Sequence, residues 1–178
     1  PVELIQRVLQ LAGQPNDGDI VLDFFSGSAT TAHAVLKQNA EDGGNRRFIG
    51  VQIAEPLPKP EPGMASIFEM GQKRIRNVAK ELRKGDTTRP LDLGFRVLKI
   101  DTSNMASVYY ASDALNQAKL DLFVDNIKPD RTAEDLLFQV MLDWGVDLAL
   151  PIEKKAIRGK DVFFVDGDAL AACLDAHC

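Results

Sequence analysis

The sequence contains little cysteine and no long apolar run. Its two cysteines, Cys173 and Cys178, lie five residues apart at the end of the chain. They cannot cross-link distant segments, so nothing indicates an oxidising compartment. The longest apolar stretch, Val146–Ile152, is interrupted by Asp147 and Pro151 and falls well short of the roughly 18 residues that span a bilayer. The start of the chain lacks the pattern of a signal peptide, and a cytoplasmic protein is expected.

An excess of positive charge is also missing. The chain carries 21 basic and 26 acidic residues, which gives a net charge of −5. A stand-alone DNA-binding module usually presents a basic face, because contacts to phosphates dominate its affinity. Any DNA contact must therefore be local, or must belong to another part of a longer protein. A zinc site is not predicted either, since Cys173, His177 and Cys178 lie at the terminus without a fourth ligand.

The first hundred residues alternate between strand and helix patterns. Helices are predicted at Glu3–Ala12, Ala29–Gln38 and Met64–Lys84, and strands at Ile20–Phe25, Arg47–Ile53 and Gly94–Asp101. The continuous apolar run in Ile20–Phe25 is typical of a strand buried on both faces. Four prolines in Glu55–Gly63 predict an irregular extended loop. This order indicates an α/β fold with a sheet of the doubly wound type in residues 1–101.

Residues 102–178 predict a small α+β appendage. Its expected helices are Asp113–Asp121, Ala133–Trp144 and Asp168–Ala176, and its expected strands lie around Leu148–Glu153 and Val162–Val165. A length of 178 residues with 45% hydrophobic content suits one ordinary domain with such an appendage.

The segment from Val21 to Thr31 carries the strongest chemical signal. A buried strand enters a tight turn of small residues, Ser26 to Ser28, and a helix follows. In open α/β sheets, ligands bind at this carboxyl end of a strand. The glycine spacing of a dinucleotide site and the lysine of a phosphate loop are both missing. An acid before the turn, Asp23, favours a cationic ligand such as the amino group of a methionine moiety.

These residues resemble a known family. Val21–Thr31 is similar to motif I of amino DNA methyltransferases, which cradles S-adenosylmethionine. Pro1–Ile5 resembles their motif X, whose helix lies directly before motif I. Glu41–Gln52 resembles the modification subunits of type III restriction–modification systems, and so do four short segments of the tail: Leu136-Leu137, Trp144-Gly145, Leu150–Glu153 and Ala171–Cys173.

The resemblance implies part of a Rossmann-like sheet that binds S-adenosylmethionine. The implied cofactor-binding residues are Pro1, Asp23, Phe24, Phe25, Ser26, Gly27, Ser28, Ala29, Thr30 and Gln52. Asp23 would face the methionine amino group, and Gln52 would face the ribose in place of the family's usual acid, for which Glu55 is a possible substitute. Ala29 stands where the family often has a second glycine, and its methyl group is expected to narrow the pocket.

The resemblance also implies what this chain does not do. The family's catalytic Asp-Pro-Pro-Tyr motif, which holds the flipped adenine, does not occur in the sequence. It is expected upstream, with the target-recognition segment, so the chain by itself should not methylate DNA. The expected partners are DNA through the full-length protein, the restriction (Res) subunit and a second copy of the chain. The alternative is a non-catalytic scaffold that binds no cofactor and serves association.

The remaining polar residues receive ordinary interpretations. The basic residues of Met64–Lys84 are interpreted as a solvent-exposed face rather than as phosphate contacts. His33 is interpreted as an ordinary helix residue. Arg46 and Arg47 are expected to face solvent before the second strand.

Overall fold

The computed structural model describes residues 1–15, 17–85, 90–106 and 126–175. It divides into two compact units, Pro1–Phe95 and Arg96–Cys178, called the N-terminal and C-terminal units below. The predicted boundary after Asp101 differs from this division by six residues. Residues 96–101 belong to the second unit because Arg96 donates to the carbonyl oxygens of Leu148 and Leu150, and because Asp101 pairs with Arg131 at 3.4 Å.

The described elements mix helices with three small sheets, which confirms the predicted mixture of α and β structure. In the N-terminal unit they are α1 (Val2–Ala12), β1 (Ile20–Asp23), α2 (Thr30–Asp42), β2 (Arg47–Gly50), β3 (Pro56–Glu61), β4 (Met64–Ser66) and α3 (Ile67–Leu82). In the C-terminal unit they are α4 (Ala133–Trp144), β5 (Ile152–Ile157), β6 (Lys160–Val165) and β7 (Leu170–Cys173). Within the described residues, no helix is both long and apolar enough to cross a membrane.

The strands β1 and β2 form a parallel pair joined by α2. The register places Ile20 beside Arg47 and Asp23 beside Gly50. On one face of the pair, Val21 and Phe48 pack against the helices. On the other face, Leu22 and Ile49 are about half exposed, at 49% and 50%. The expectation that β1 is buried on both faces is therefore wrong for the described chain, where one face of the pair is covered.

Helices α1 and α2 supply the core on the covered face. The buried residues of this cluster are Leu9, Ala34 and Val35, with Val2 and Ile5 packed against them. The apolar stripe of α1 is broader than this contact, so Leu4, Val8 and Leu11 remain exposed. A second cluster joins Ala32 and Leu36 of α2 to Ile75, Val78 and Ala79 of α3, together with Leu93.

The proline-rich segment is a strand rather than an irregular loop. β3 pairs antiparallel with β4, with an irregularity between the Pro56–Ser66 and Glu61–Met64 pairs. Proline lacks an N–H, but an edge strand with so few cross-strand pairs tolerates it. The helix predicted from Met64 begins at Ile67, because Ser66 forms a capping box with Glu69.

The C-terminal unit is a helix packed on an antiparallel sheet. Helix α4 begins at a capping box between Thr132 and Asp135. Its Leu137 and Met141 are fully buried against Phe163, Val165 and Leu170 of the sheet. Strand β6 lies between β5 and β7. The helix predicted at Ala133–Trp144 is confirmed.

Two predictions for the second half of the chain are wrong. The last helix, Asp168–Ala176, is replaced by β7, which pairs residue by residue with β6 from Val165–Leu170 to Val162–Cys173. The strand predicted at Gly94–Asp101 is not a strand, since the described residues provide no neighbour for it, and Val97, Leu98 and Ile100 are exposed. The helix predicted at Asp113–Asp121 lies outside the described residues.

A close contact between two small residues sets the distance between α2 and α3. A Cβ placed on Gly71 of α3 would lie 3.2 Å from the carbonyl oxygen of Gly27 and 3.3 Å from the Ala29 Cβ. Ala29 is itself buried and has a left-handed backbone, with φ of 61°. For a residue other than glycine this conformation costs about 1 kcal/mol or more. Tight packing on α3 therefore accompanies a strained turn.

A buried arginine joins α2 to the start of β2. Arg46 is 5% exposed, so the expectation that it faces solvent is wrong, whereas Arg47 is exposed. The Arg46 guanidinium donates to Asp42 at 3.0 Å, and the Asn39 side-chain amide donates to the Arg46 carbonyl oxygen at 2.8 Å. These contacts bring β2 back against α2. The buried charge has a charged partner, as such groups require.

The same contacts determine how Asp42 titrates. Burial tends to raise the pKa of Asp42, but hydrogen bonds from the Gln38 amide, the Gly44 N–H and the Arg46 guanidinium together hold this pKa below its ordinary value. A carboxyl whose pKa is lowered by folding stabilises the fold above its unfolded pKa, about 3.9. That stabilisation is lost as the pH falls through the folded value.

We expect Asp42→Asn to lower the free energy of unfolding by about 2 kcal/mol at neutral pH, since it leaves the Arg46 guanidinium without its charged partner. The difference between wild type and variant should shrink below about pH 4, where Asp42 itself becomes protonated. Urea unfolding followed by circular dichroism from pH 7 to pH 3 measures both effects. The exposed Asp143→Asn serves as the control, and a pH-independent difference would contradict the prediction.

We expect Gly71→Ala to destabilise the N-terminal unit by about 1–3 kcal/mol, because the new methyl group pushes α3 away from the turn. This opposes the gain that alanine normally gives inside a helix. Adding Ala29→Gly should recover part of the loss, since it removes one of the two contacts and relieves the left-handed strain. Thermal unfolding of the two single variants and the double variant measures this coupling, and strict additivity would contradict it.

Candidate functional site

The turn after β1 lies at the carboxyl ends of both parallel strands. The Val51 N–H donates to the Asp23 carbonyl oxygen at 2.8 Å, and the Ser26 N–H donates to the Val51 carbonyl oxygen at 3.1 Å. The pairing therefore continues beyond the last strand residues. It fixes the turn beside the chain that leaves β2, where open α/β sheets place their ligands.

Gln52 holds this turn from the side of β2. Its side-chain oxygen accepts a hydrogen bond from the Gly27 N–H at 2.7 Å, and its side-chain nitrogen donates to the Ile53 carbonyl oxygen at 3.1 Å. Gly27 has φ of 50°, a left-handed conformation that glycine adopts without strain. Sequence reasoning assigns Gln52 to a ribose, and the structure places its amide on the backbone of the turn.

Asp23 is oriented by the segment that follows it. One carboxylate oxygen accepts from the Phe25 N–H at 3.2 Å, and the other accepts from the Thr31 hydroxyl at 2.6 Å. Each carboxylate oxygen has a second lone pair for another donor. The acid is thus held at the mouth of the turn with capacity to accept a further hydrogen bond.

The two phenylalanines of the turn are open to solvent. Phe24 is 65% exposed and Phe25 is 86% exposed. A large apolar side chain this exposed, at the edge where open α/β sheets place their ligands, provides contact area that a bound molecule could cover. Ala29 behaves differently from its prediction, because its methyl group packs in the core beside Gly71 rather than into an open space.

A cleft of about 650 Å³ opens beside the turn. Its walls are the start of α1, the end of the turn with the start of α2, Met64 of β4 and one face of α3. Three of the predicted cofactor-binding residues line it, namely Pro1, Ser28 and Thr30. This volume lies in the range of pockets that bind small molecules.

Sequence reasoning missed the contribution of α3 to this cleft. Met70, Lys73, Arg74, Asn77 and Glu81 line it, at the three- and four-residue spacing of one helix face. Arg74 is partly buried, and its guanidinium donates to the Thr30 hydroxyl at 2.6 Å. The solvent-exposed interpretation of the basic helix therefore does not hold for Arg74. The three- and four-residue spacing of these polar residues was the signal in the sequence that could have indicated a shared helix face.

His33 lines the same cleft. Burial lowers the pKa of His33 below its ordinary value, and the positive charges of Arg74 and Lys37 lower it further. These effects favour the neutral form of the imidazole. Within the described part of the chain, no group of three or more His, Cys, Asp or Glu residues is arranged to hold a metal ion.

The chain matches known proteins over most of its length. Residues 1–57 match the family described as DNA methylase. The chain is 40% identical over 106 residues to the Mod subunit of the type III restriction–modification enzyme StyLTI from Salmonella typhimurium, covering 57% of this chain and 16% of that protein.

Two other Mod subunits cover nearly the whole chain. The EcoPI Mod subunit from Escherichia phage P1 is 34% identical over 173 residues, covering 94% of this chain and 26% of that protein. The EcoP15I Mod subunit from Escherichia coli is 29% identical over 171 residues, covering 93% and 24%. The chain thus spans about a quarter or less of the length of these curated relatives. The resemblance that the motifs predict is confirmed: the chain is a homologue of the Mod subunits of type III restriction–modification enzymes.

Proposed function

We propose that this chain is the S-adenosylmethionine-binding part of a longer adenine-N6 DNA methyltransferase, the modification subunit of a type III system. The observation that carries the proposal is the turn at Gly27, fixed at the carboxyl ends of two parallel strands with Asp23 at its mouth. The similarity to Mod subunits supports it, and the methyl transfer belongs to the longer protein.

The residues of the turn fit a cofactor with a cationic amino group. Asp23 provides a negative charge oriented by two hydrogen bonds. The small residues Ser26, Gly27 and Ser28 allow a ligand to approach the backbone closely. The exposed ring of Phe25 offers an apolar surface to the rest of the molecule. The negative charge of Asp23 disfavours a phosphate at the turn itself.

The parallel pair β1–β2 fits part of a larger Rossmann-like sheet. Parallel sheets normally have both faces covered, and the pair leaves one apolar face exposed. In the longer protein, further strands and a covering layer of helices would bury Leu22 and Ile49. The same segments would bring the Asp-Pro-Pro-Tyr motif, which the sequence of this chain does not contain.

The division of labour in methyl transfer follows from this arrangement. S-adenosylmethionine supplies the methyl group on a sulfonium centre, and the reaction depends mainly on positioning. The residues of this chain would bind and orient the cofactor: Asp23 would hold its amino group, and the backbone around Gly27 would lie against it. The C-terminal unit is proposed to serve association, either with a second copy or with the Res subunit, while DNA is bound by the full-length protein.

A second candidate is a scaffold that binds no cofactor. The exposed apolar residues Leu4, Val8 and Leu11 of α1, together with the open face of β1–β2, favour association with other protein surfaces. Both candidates predict association, so only cofactor binding separates them.

Calorimetric titration of the chain with S-adenosylmethionine is expected to give heat of binding at micromolar to millimolar concentration. Asp23→Asn keeps the shape of the side chain and removes its charge, so we expect at least a tenfold loss of affinity. Asp17→Asn, an acid-to-amide change at an exposed position before β1, should leave the affinity unchanged. Absence of binding by the folded wild type at millimolar cofactor would favour the scaffold.

Methylation of DNA by this chain alone is expected to be undetectable, because its sequence does not contain the catalytic Asp-Pro-Pro-Tyr motif. Incorporation of a radioactive methyl group from S-adenosylmethionine into bulk DNA measures this. Activity above that of a heat-denatured sample would contradict the proposed division of labour.

A further inference from the structure

Arg74 connects two elements that are far apart in the sequence. Its guanidinium donates to the Thr30 hydroxyl at 2.6 Å across 44 residues of chain. Thr30 is the first residue of α2, immediately after the turn, and both residues line the cleft. An arginine that belonged only to a solvent-exposed face of α3 would extend into solvent, whereas Arg74 is partly buried.

This contact directs hydrogen-bond donors into the cleft. The Thr30 oxygen accepts from Arg74, so the Thr30 hydroxyl hydrogen remains available for another acceptor. Arginine carries five N–H donors in a planar fork, and the bond to Thr30 uses one of them. A ligand with two acceptor oxygens is the natural complement of such a group.

Opposite charges are held by neighbouring residues of α2. Arg74 is bonded to the Thr30 hydroxyl at 2.6 Å, and Asp23 is bonded to the Thr31 hydroxyl at 2.6 Å. A cation and an anion are therefore attached to successive residues at the start of one helix. An amino acid moiety, which carries an ammonium and a carboxylate on the same carbon, presents the matching pair of charges.

The charge along the cleft is not uniform. Arg74 contacts Thr30 at one end of the cleft. The acid that lines the cleft, Glu81, lies seven residues beyond Arg74 on α3. Seven residues of helix correspond to roughly 10 Å. The end of the cleft beside the turn is thus the cationic one.

We propose that Arg74 and the Thr30 hydroxyl bind the α-carboxylate of the methionine moiety, while Asp23 binds its amino group. This inference rests on the proposed function and assigns a carboxylate-recognising residue to it. A DNA phosphate is the other anion that Arg74 could contact, but Arg74 is partly buried and is held against the start of α2 by its bond to Thr30. Phosphate contacts more commonly come from exposed basic faces.

The test compares two compounds that differ by one group. S-adenosylmethionine and decarboxylated S-adenosylmethionine share the adenosine, the sulfonium and the amino group, and the second lacks the carboxylate. Each is titrated calorimetrically into wild type, Arg74→Gln and Lys80→Gln. Lys80 lies on the same helix, is exposed and does not line the cleft, so it controls for the loss of one positive charge.

Wild type and Lys80→Gln are expected to prefer the carboxylated compound by about 10- to 100-fold, the usual contribution of hydrogen bonds to a charged group. Arg74→Gln should lose most of this preference while binding the decarboxylated compound as wild type does. Thr30→Val, which keeps the shape of threonine, should also reduce the preference. If circular dichroism shows that Arg74→Gln does not fold, Thr30→Val is used in its place.

The outcomes separate this inference from the function on which it rests. If wild type binds S-adenosylmethionine and Arg74→Gln retains the preference, the assignment of Arg74 is wrong and the proposed function stands. Equal weakening of both compounds also overturns the assignment, since it indicates a structural role. If wild type binds neither compound, the proposed function fails, and this inference fails with it. If Arg74→Gln retains the preference but weakens retention of a DNA duplex in low salt, the residue contacts phosphate instead.

Discussion

The parallel register of β1 and β2 is the constraint on which the candidate site depends. Because Asp23 lies beside Gly50, the two strands end together and the chains that leave them run side by side. Val51 and Gln52 then reach the turn and accept its N–H groups. A shift of one residue would exchange the two faces of β2 and move the Gln52 side chain away from Gly27.

The position of Gln52 beside the turn explains why glutamine can stand where the family usually has an acid. Its amide both accepts from Gly27 and donates to the Ile53 carbonyl oxygen. An ionised acid at this position accepts hydrogen bonds but donates none. Glutamine can therefore bind both the turn and the backbone that leaves β2. A ligand at this edge would meet a neutral amide whose oxygen and nitrogen already form hydrogen bonds.

Local signals in the sequence predicted the elements that depend on nearby residues. The strand, turn and helix of Val21–Thr31 lie where the pattern of apolar and small residues places them, and the helix Ala133–Trp144 follows its spacing. Predictions were wrong where contacts with residues outside the local segment determine the structure. The alanine-rich segment at Leu170–Cys173 has helical propensity, but pairing with β6 makes it a strand. The burial of Arg46 depends on Asn39 and Asp42, and the role of Arg74 depends on a residue 44 positions away.

The unit formed by β1, α2 and β2 closes over a short stretch of chain, from Ile20 to Gly50. Contacts between residues close in sequence form quickly, because little loop entropy is lost before they are made. The turn and its supporting hydrogen bonds therefore need no segment beyond Ile53 in order to form. Contacts that join distant residues to this turn, such as the hydrogen bond from Arg74 to Thr30 across 44 positions, are expected to form later.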